Sequence, residues 1–250
     1  MKFLSLLLFL LLAHKMPAQP PLIHAHNDYQ KPEPLINALR NKAFSIEADV
    51  YLVNDSLRVA HDKKELTYAP TLNALYLKPI IDLFKLHHGQ ISNDSNYVPL
   101  LVIDIKEKGK EVLNKLVVEL SKNRSVFDQY INPKAVQVVI SGDRGTLSDW
   151  VTYPSFILFD GRPLENYDNG ALQKVAFISD SYINYSFPSD SIDSRVVRLV
   201  EKVHGNKKLL RLWAIPDNPE SWTHLRQLGV DIINTDKVAE CRKYFSPVAQ

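Results

Sequence analysis

Three polar clusters stand out in the first quarter of the chain: His24-Ala25-His26-Asn27-Asp28, Glu47-Ala48-Asp49 and His61-Asp62. Each follows a short apolar run of the kind that forms a β-strand. Side chains alternate along a strand with a period of two, so Glu47 and Asp49 project from one face and can hold one cation together. His24 and His26 share a face by the same spacing. An imidazole, with a reference pKa of about 6.5, takes up and returns protons near neutral pH. Carboxylates that hold a hard cation, beside imidazoles that move protons, are the parts of a metal-assisted hydrolytic site.

A lone Glu-x-Asp at a strand end more often pairs with lysine or caps a helix than binds a metal. Here Asp104, in Val102-Ile103-Asp104-Ile105-Lys106, supplies a third carboxylate at another strand end. Three acidic positions with two histidines reverse the weighting. Glu47, Asp49 and Asp104 form an all-oxygen set, which suits one divalent cation of the Mg²⁺ or Ca²⁺ kind better than zinc.

Such residues need a scaffold that brings strand ends together. Apolar or β-branched runs at 22–25, 44–50, 100–105, 136–140, 156–159, 175–178, 209–213 and 230–233 read as eight strands. Helical patterns lie between them at 34–41, 73–86, 110–121, 146–150, 194–203 and 219–228, and the interval 161–174 carries the weakest one. In the third, Val112, Leu113, Leu116, Val117 and Leu120 mark one buried face. Eight alternating units predict an α/β fold of the closed (β/α)8 TIM-barrel type, in a single domain. A further short strand at 56–60 forms a hairpin after the second strand, turning at Asn54-Asp55 and carrying His61 to the top of the barrel. In such barrels catalytic side chains gather at the C-terminal strand ends, where all the clusters fall. The polar loop 89–97 reads as an excursion near the site.

The chain has 250 residues, 45% of them hydrophobic, which suffices for one large core. Thirty basic against 28 acidic residues leave a net charge of +2, too little for a nucleic-acid footprint. A single cysteine, Cys241, excludes an intramolecular disulfide and reads as an inert small side chain. Residues 1–19 combine Lys2, an apolar run over 3–13 and small residues near Ala18, the pattern of a signal peptide. The run is short of the roughly 20 residues of a membrane span. The expectation is therefore an exported protein, periplasmic or secreted, whose barrel domain occupies 20–250 and touches membrane at most peripherally.

Ile23 to Asp28, Pro32-Glu33, Ile46-Glu47-Ala48-Asp49-Val50 and Val59-Ala60-His61-Asp62 together resemble the glycerophosphodiester phosphodiesterase family and its phospholipase-C-like superfamily. The tail strengthens the likeness, with Leu212-Trp213-Ala214-Ile215 and then Gly229-Val230-Asp231 entering the last strand. The resemblance implies a phosphodiesterase with one divalent metal, His26 and His61 as its catalytic pair and Glu47 and Asp49 as metal ligands. Its usual third ligand is a glutamate; Asp104 in that place, with Asn27 beside the first histidine, is similar to the sphingomyelinase-D-like branch. Lys106 matches a lysine that holds the substrate phosphate. Trp213 would wall the pocket or stack on the substrate, and Asn27 would line it. The family's arginine and glycine after the first histidine are here Asn27 and Asp28, so an arginine for the phosphate is missing from its usual place. His24 and Asp28 are assigned supporting roles behind these residues.

The expected substrates are small phosphodiesters, glycerophosphodiesters or phospholipid headgroups, in keeping with a role in lipid metabolism. Two other classes compete. An amidohydrolase-like metal enzyme also uses His-x-His after its first strand, but it needs histidines from the middle strands. No histidine lies between His88 and His204. A headgroup-binding module without chemistry would not require both histidines and three carboxylates.

Overall fold

The computed structural model describes residues 20–186 and 191–246. The segment read as a signal peptide lies outside the described residues.

The strands run in the order β1 (Leu22–Ala25), β2 (Ser45–Val53), β3 (Ser56–Val59), β4 (Leu100–Ile105), β5 (Gln137–Gly142), β6 (Ile157–Gly161), β7 (Val175–Ser181), β8 (Leu210–Trp213) and β9 (Ile232–Thr235). All pair in parallel except β3, and β1 pairs with both β9 and β2, which closes the sheet. The fold is the expected single (β/α)8 barrel. The extra strand is the hairpin partner of β2, antiparallel to it, with Asn54 and Asp55 both at positive φ in the two-residue turn.

Between the strands lie α1 (Ile36–Arg40), α2 (Lys78–Leu86), α3 (Gly109–Ser121), α4 (Arg124–Phe127), α5 (Asn169–Lys174), α6 (Ile192–Gly205) and α7 (Pro219–Gln227), and α8 (Val238–Phe245) ends the described chain. Val112, Leu113, Leu116 and Leu120 of α3 are buried, as their spacing requires. Each such side chain contributes about 1.5–3 kcal/mol on leaving water. The pattern at 146–150 is a 3-10 turn, Leu147–Thr152, and the weak interval before β7 holds only the short α5, with Asp168 capping it through the Ala171 amide.

Strand alternation divides the core in two. Ile23, Ile46, Ile103, Ile140, Phe159, Leu212 and Ile233 face the helices in one large cluster, while Val102, Val139, Phe177 and Ile232 form a small separate plug inside the barrel. Above that plug the inner positions turn polar and stay buried: His24, Glu47, Ser141, Asp160, Ser179, Arg211 and Asn234. The barrel is therefore apolar at its N-terminal end and ionic towards its C-terminal end.

The loop 89–97 does not adjoin the site. It precedes β4 and so lies at the N-terminal end, where Asn132 donates to the Gly89 carbonyl and Lys42 pairs with Asp94.

Candidate active site

Register sets the site. In the parallel ladders Asp49 stands beside Asp104, and Asp104 beside Ser141, so three polar side chains share one level at the strand ends. Carboxylate oxygens of Glu47, Asp49 and Asp104 all lie within 4.8 Å of one another. Gly142 permits this closeness: it adopts φ +68°, and a Cβ there would come within 2.2 Å of the Ile105 carbonyl and 2.4 Å of Asp104 Oδ1.

Burial raises the pKa of Asp49, the charge of Glu47 raises it further, and Lys106 offsets part of the effect. Burial also raises that of Asp104, against Lys106. Lys106 Nζ lies 2.7 Å from Asp49 Oδ2 and 2.5 Å from Asp104 Oδ2, bridging the two. Asp49 Oδ2 accepts from Tyr29 Oη at 2.8 Å as well, while Asp49 Oδ1 is buried with no partner.

Glu47 is fixed from beneath. His24, fully buried, places Nε2 2.5 Å from Glu47 Oε2 and Nδ1 2.7 Å from Ser45 Oγ. With the Nε2 proton donated to Glu47, the buried Arg211 donates to Glu47 Oε2 and Asn234 Oδ1, both at 3.2 Å. Burial, helped by the Arg211 charge, lowers the His24 pKa to about 4, so the ring is neutral. Burial would raise Glu47, but the hydrogen bond from His24 and the cations around it hold it well below the usual carboxylate range. His24 thus holds the Glu47 carboxylate from beneath.

His26 Nδ1 lies 3.0 Å from Asp236 Oδ1, just past the end of β9, and Nε2 lies 4.0 Å from Glu47 Oε1. Burial opposes charging His26, yet the hydrogen bond to Asp236 and the charges of Glu47 and Asp236 outweigh it and raise its pKa. His61 rises from the hairpin, half exposed, with Nδ1 3.2 Å from Asp49 Oδ2 and 3.3 Å from Tyr29 Oη. Nδ1 of each ring thus faces a carboxylate, and Nε2 of neither has a protein hydrogen-bond partner among the described residues.

His26, His61, Glu47, Asp49, Asp104, Lys106, Trp213 and Asn27 line one cavity of about 310 Å³, joined by Arg162 and Arg211. Asn27 enters it at φ 49°, a left-handed conformation that asparagine tolerates. Its amide nitrogen is already engaged: Nδ2 lies 2.9 Å from His26 Nδ1 and 3.3 Å from Asp236 Oδ1, while Oδ1 lies 3.1 Å from Tyr29 Oη. Asp28 points away. Its Oδ2 accepts from the Leu35 amide at 2.6 Å and Tyr76 Oη at 2.9 Å, which makes it an anchor of the β1–α1 connection.

Five residues of this arrangement escape the sequence pattern: Tyr29, Asp160, Arg162, Arg211 and Asp236. Asp160 is fully buried, and its Oδ2 accepts from Ser179 Oγ at 2.6 Å, Ser141 Oγ at 2.9 Å, Arg162 Nη1 at 3.0 Å and Arg211 Nη2 at 3.1 Å. The available signal was a charge inside an apolar strand, as in Leu210-Arg211-Leu212.

The chemistry of these residues fits a divalent cation. Glu47, Asp49 and Asp104 turn carboxylate oxygens towards one point from two neighbouring strands, and Lys106 offsets only part of their charge. An all-oxygen set of this kind, beside the unpartnered buried Asp49 Oδ1, suits one divalent cation. No histidine joins the acidic group among the described residues, which disfavours a zinc site of the amidohydrolase kind.

A closed barrel with this rim and this acidic group places the chain among the phospholipase-C-like phosphodiesterases. Residues 14–145, just over half the chain, match the AIM6-like phosphodiesterase domain, and the protein belongs to that family. It is thereby a phosphodiester hydrolase at the level that the family defines.

Among its relatives is the altered inheritance of mitochondria protein 6 homolog of Arthroderma benhamiae, 26% identical, the match covering 90% of this chain and 84% of that one. The altered inheritance of mitochondria protein 6 of Eremothecium gossypii is 27% identical, covering 89% and 69%. In fold the chain is similar to a glycerophosphodiester phosphodiesterase from Parabacteroides distasonis, with TM-score 0.59 and 16% identity over 90% of this chain and 97% of that one. It is also similar to a Ca²⁺-dependent phosphatidylinositol-specific phospholipase C from Streptomyces antibioticus, with TM-score 0.55 and 12% identity over 90% and 96%.

These relatives correct one expectation. They are fungal proteins named for the inheritance of mitochondria, a name that concerns an organelle within the cell, and the assignment to a periplasm or the exterior does not stand. Among the described residues no helix is long and apolar enough to cross a membrane.

Proposed function

We propose that the protein is a metal-dependent phosphoric diester hydrolase that cleaves glycerophosphodiesters or phospholipid headgroups by two-histidine acid–base catalysis. The observation that carries this reading is the convergence of Glu47, Asp49 and Asp104 within 4.8 Å in the cavity that His26 and His61 also line.

Glu47, Asp49 and Asp104 would hold one Mg²⁺ or Ca²⁺, which supplies Lewis-acid neutralisation of phosphate charge when bound. The residues do the remainder. Asp236 accepts the His26 Nδ1 proton, directs the Nε2 lone pair into the cavity and stabilises the imidazolium, so His26 takes the proton of the attacking hydroxyl. That hydroxyl belongs to water or to the substrate itself; in the second case the first product is a cyclic phosphate. His61, held at Nδ1 by Asp49 and Tyr29, gives the Nε2 proton of its imidazolium form to the departing alcohol oxygen, and exchange with solvent removes the proton gained by His26 and restores that of His61 for the next cycle. Lys106 adds a fixed positive charge, and Trp213, 39% exposed at the end of β8, presents a ring face for the headgroup.

The test is turnover of glycerophosphocholine, glycerophosphoinositol, phosphatidylinositol, lysophospholipid, sphingomyelin and bis(p-nitrophenyl) phosphate, with divalent cation and with chelator. Cation-dependent release of alcohol or phosphomonoester, lost in His26→Ala and Glu47→Ala, is expected. Absence of turnover across the panel, or full activity in those variants, overturns the reading.

A further inference from the structure

The first strand offers no arginine to the cavity, and Asn27, which stands in its place, has its amide nitrogen, the group that could donate to a phosphate, engaged within the protein. A cationic fork enters from elsewhere. Arg162 directly follows β6, the fifth barrel strand, and lines the same cavity as the acidic group. It is pinned through one nitrogen: Nη1 contacts Asp160 Oδ2 and Ser179 Oγ, both at 3.0 Å, and the Gly161 carbonyl at 3.0 Å. Nη2 and Nε have no protein partner among the described residues. The side chain is 25% exposed, on the cavity side.

The neighbouring cations do not offer the same. Lys106 is held between Asp49 and Asp104. Arg211 lies in the floor of the cavity, only 4% exposed and shared between Glu47 and Asp160. Asp160 therefore answers two guanidinium groups with one carboxylate, and the surplus charge is presented by Arg162. A planar guanidinium with an unoccupied edge, held rigidly from behind, is suited to anionic phosphate oxygens.

We propose that Arg162 is the phosphate-binding arginine of this site, donating from its free edge to a non-bridging oxygen of the phosphodiester across the cavity from the acidic group. The assignment rests on the hydrolase reading for its substrate. It moves the anion clamp from the first barrel strand to the fifth and makes the Asp160–Ser179 pair its mount.

The experiment compares the wild type with Arg162→Gln, Arg162→Lys and Ser179→Ala at saturating Mg²⁺ or Ca²⁺. Three quantities are read: KM for bis(p-nitrophenyl) phosphate, binding of inorganic phosphate by calorimetry, and affinity for the cation alone. Arg162→Gln is expected to weaken both phosphate readouts by about ten- to a hundredfold, the range of a charge-assisted bond, with cation affinity unchanged. Arg162→Lys is expected to recover part of the loss, since charge returns without the fork. Unchanged phosphate binding and KM in Arg162→Gln overturn the proposal. So does a loss matched by an equal fall in cation affinity, which would mark Arg162 as a support of the Asp160–Arg211 network. Should no diester be turned over, the hydrolase reading fails by itself, and phosphate calorimetry still decides for or against Arg162.

Discussion

His24 Nε2 and Glu47 Oε2 lie 2.5 Å apart in the interior of the barrel, a neutral ring donating to an ionised carboxylate. Replacing His24 by alanine leaves Glu47 facing Arg211 without its closest donor, and losing a buried hydrogen bond to a charged group costs about 1.5–3 kcal/mol. Denaturant unfolding of His24→Ala with the cation absent is expected to show that loss. A loss below about 1 kcal/mol would mean that Arg211 alone satisfies Glu47.

The same ring makes the fold acid-sensitive. Its pKa is about 4 in the native state against 6.5 as the ordinary value, so the unfolded chain binds the proton more readily. The stabilisation is full above pH 6.5 and is lost as pH falls towards 4. The lowered Glu47 acts in the same direction at lower pH. Melting temperature measured across pH 7 to 4 should decline in the wild type over that window, and decline less in His24→Ala.

His26 is displaced the other way. Its raised pKa means that pairing with Asp236 contributes fully below pH 6.5 and is lost as pH rises through the native value. Asp236→Asn removes the opposing charge, so the His26 ring, followed by NMR titration, should lose its proton at lower pH than in the wild type. A titration midpoint that stays in place would detach Asp236 from His26.

Tyr29 Oη stands within hydrogen-bond reach of Asn27, Asp49 and His61, and so joins the supports of the two histidines. Tyr29→Phe keeps the ring and deletes this junction. Turnover number should fall by about tenfold with KM nearly unchanged, as expected when a positioning contact is lost. A change confined to KM would place the hydroxyl on the substrate instead.

Gly142 is intolerant of a side chain for two reasons, its φ of +68° and the 2.4 Å approach of a Cβ to Asp104 Oδ1. Gly142→Ala should cost more than about 1 kcal/mol in stability and weaken cation binding along with it. Normal cation affinity in a folded Gly142→Ala protein would show that Asp104 does not need its present position.

How far these features were legible in the sequence depended on whether polar residues followed or interrupted an apolar run. The strands 22–25 and 100–105 have the expected bounds. Others continue into Ser141-Gly142, Asp160-Gly161, Ser179-Asp180-Ser181 and Asn234-Thr235, where hydrophobicity stops but pairing does not. Those polar ends are the inner wall of the site, so a hydrophobic pattern cuts the strands where their chemistry begins. The acidic group was visible because its spacing is local. Arg162 and Asp160 were not, because their meaning depends on strands far apart in sequence meeting across the barrel. The helix Val238–Phe245 was missed, since its buried positions Val238 and Cys241 are too few to establish a period.

Closure of the sheet through β1 has a further consequence. The three clustered carboxylates and both histidines of the cavity all precede residue 105, as though the site could be cut out as a module. A chain ending near residue 145 would keep them and lose β6 to β9, exposing unpaired edges on β1 and β5. Open edges of that kind recruit other chains and aggregate. It would also lose Asp236, Arg211 and Asp160, leaving His26 and Glu47 without their far-side partners. The site is thus held together by the closed ring, and the first half alone would keep its residues without the partners that position them.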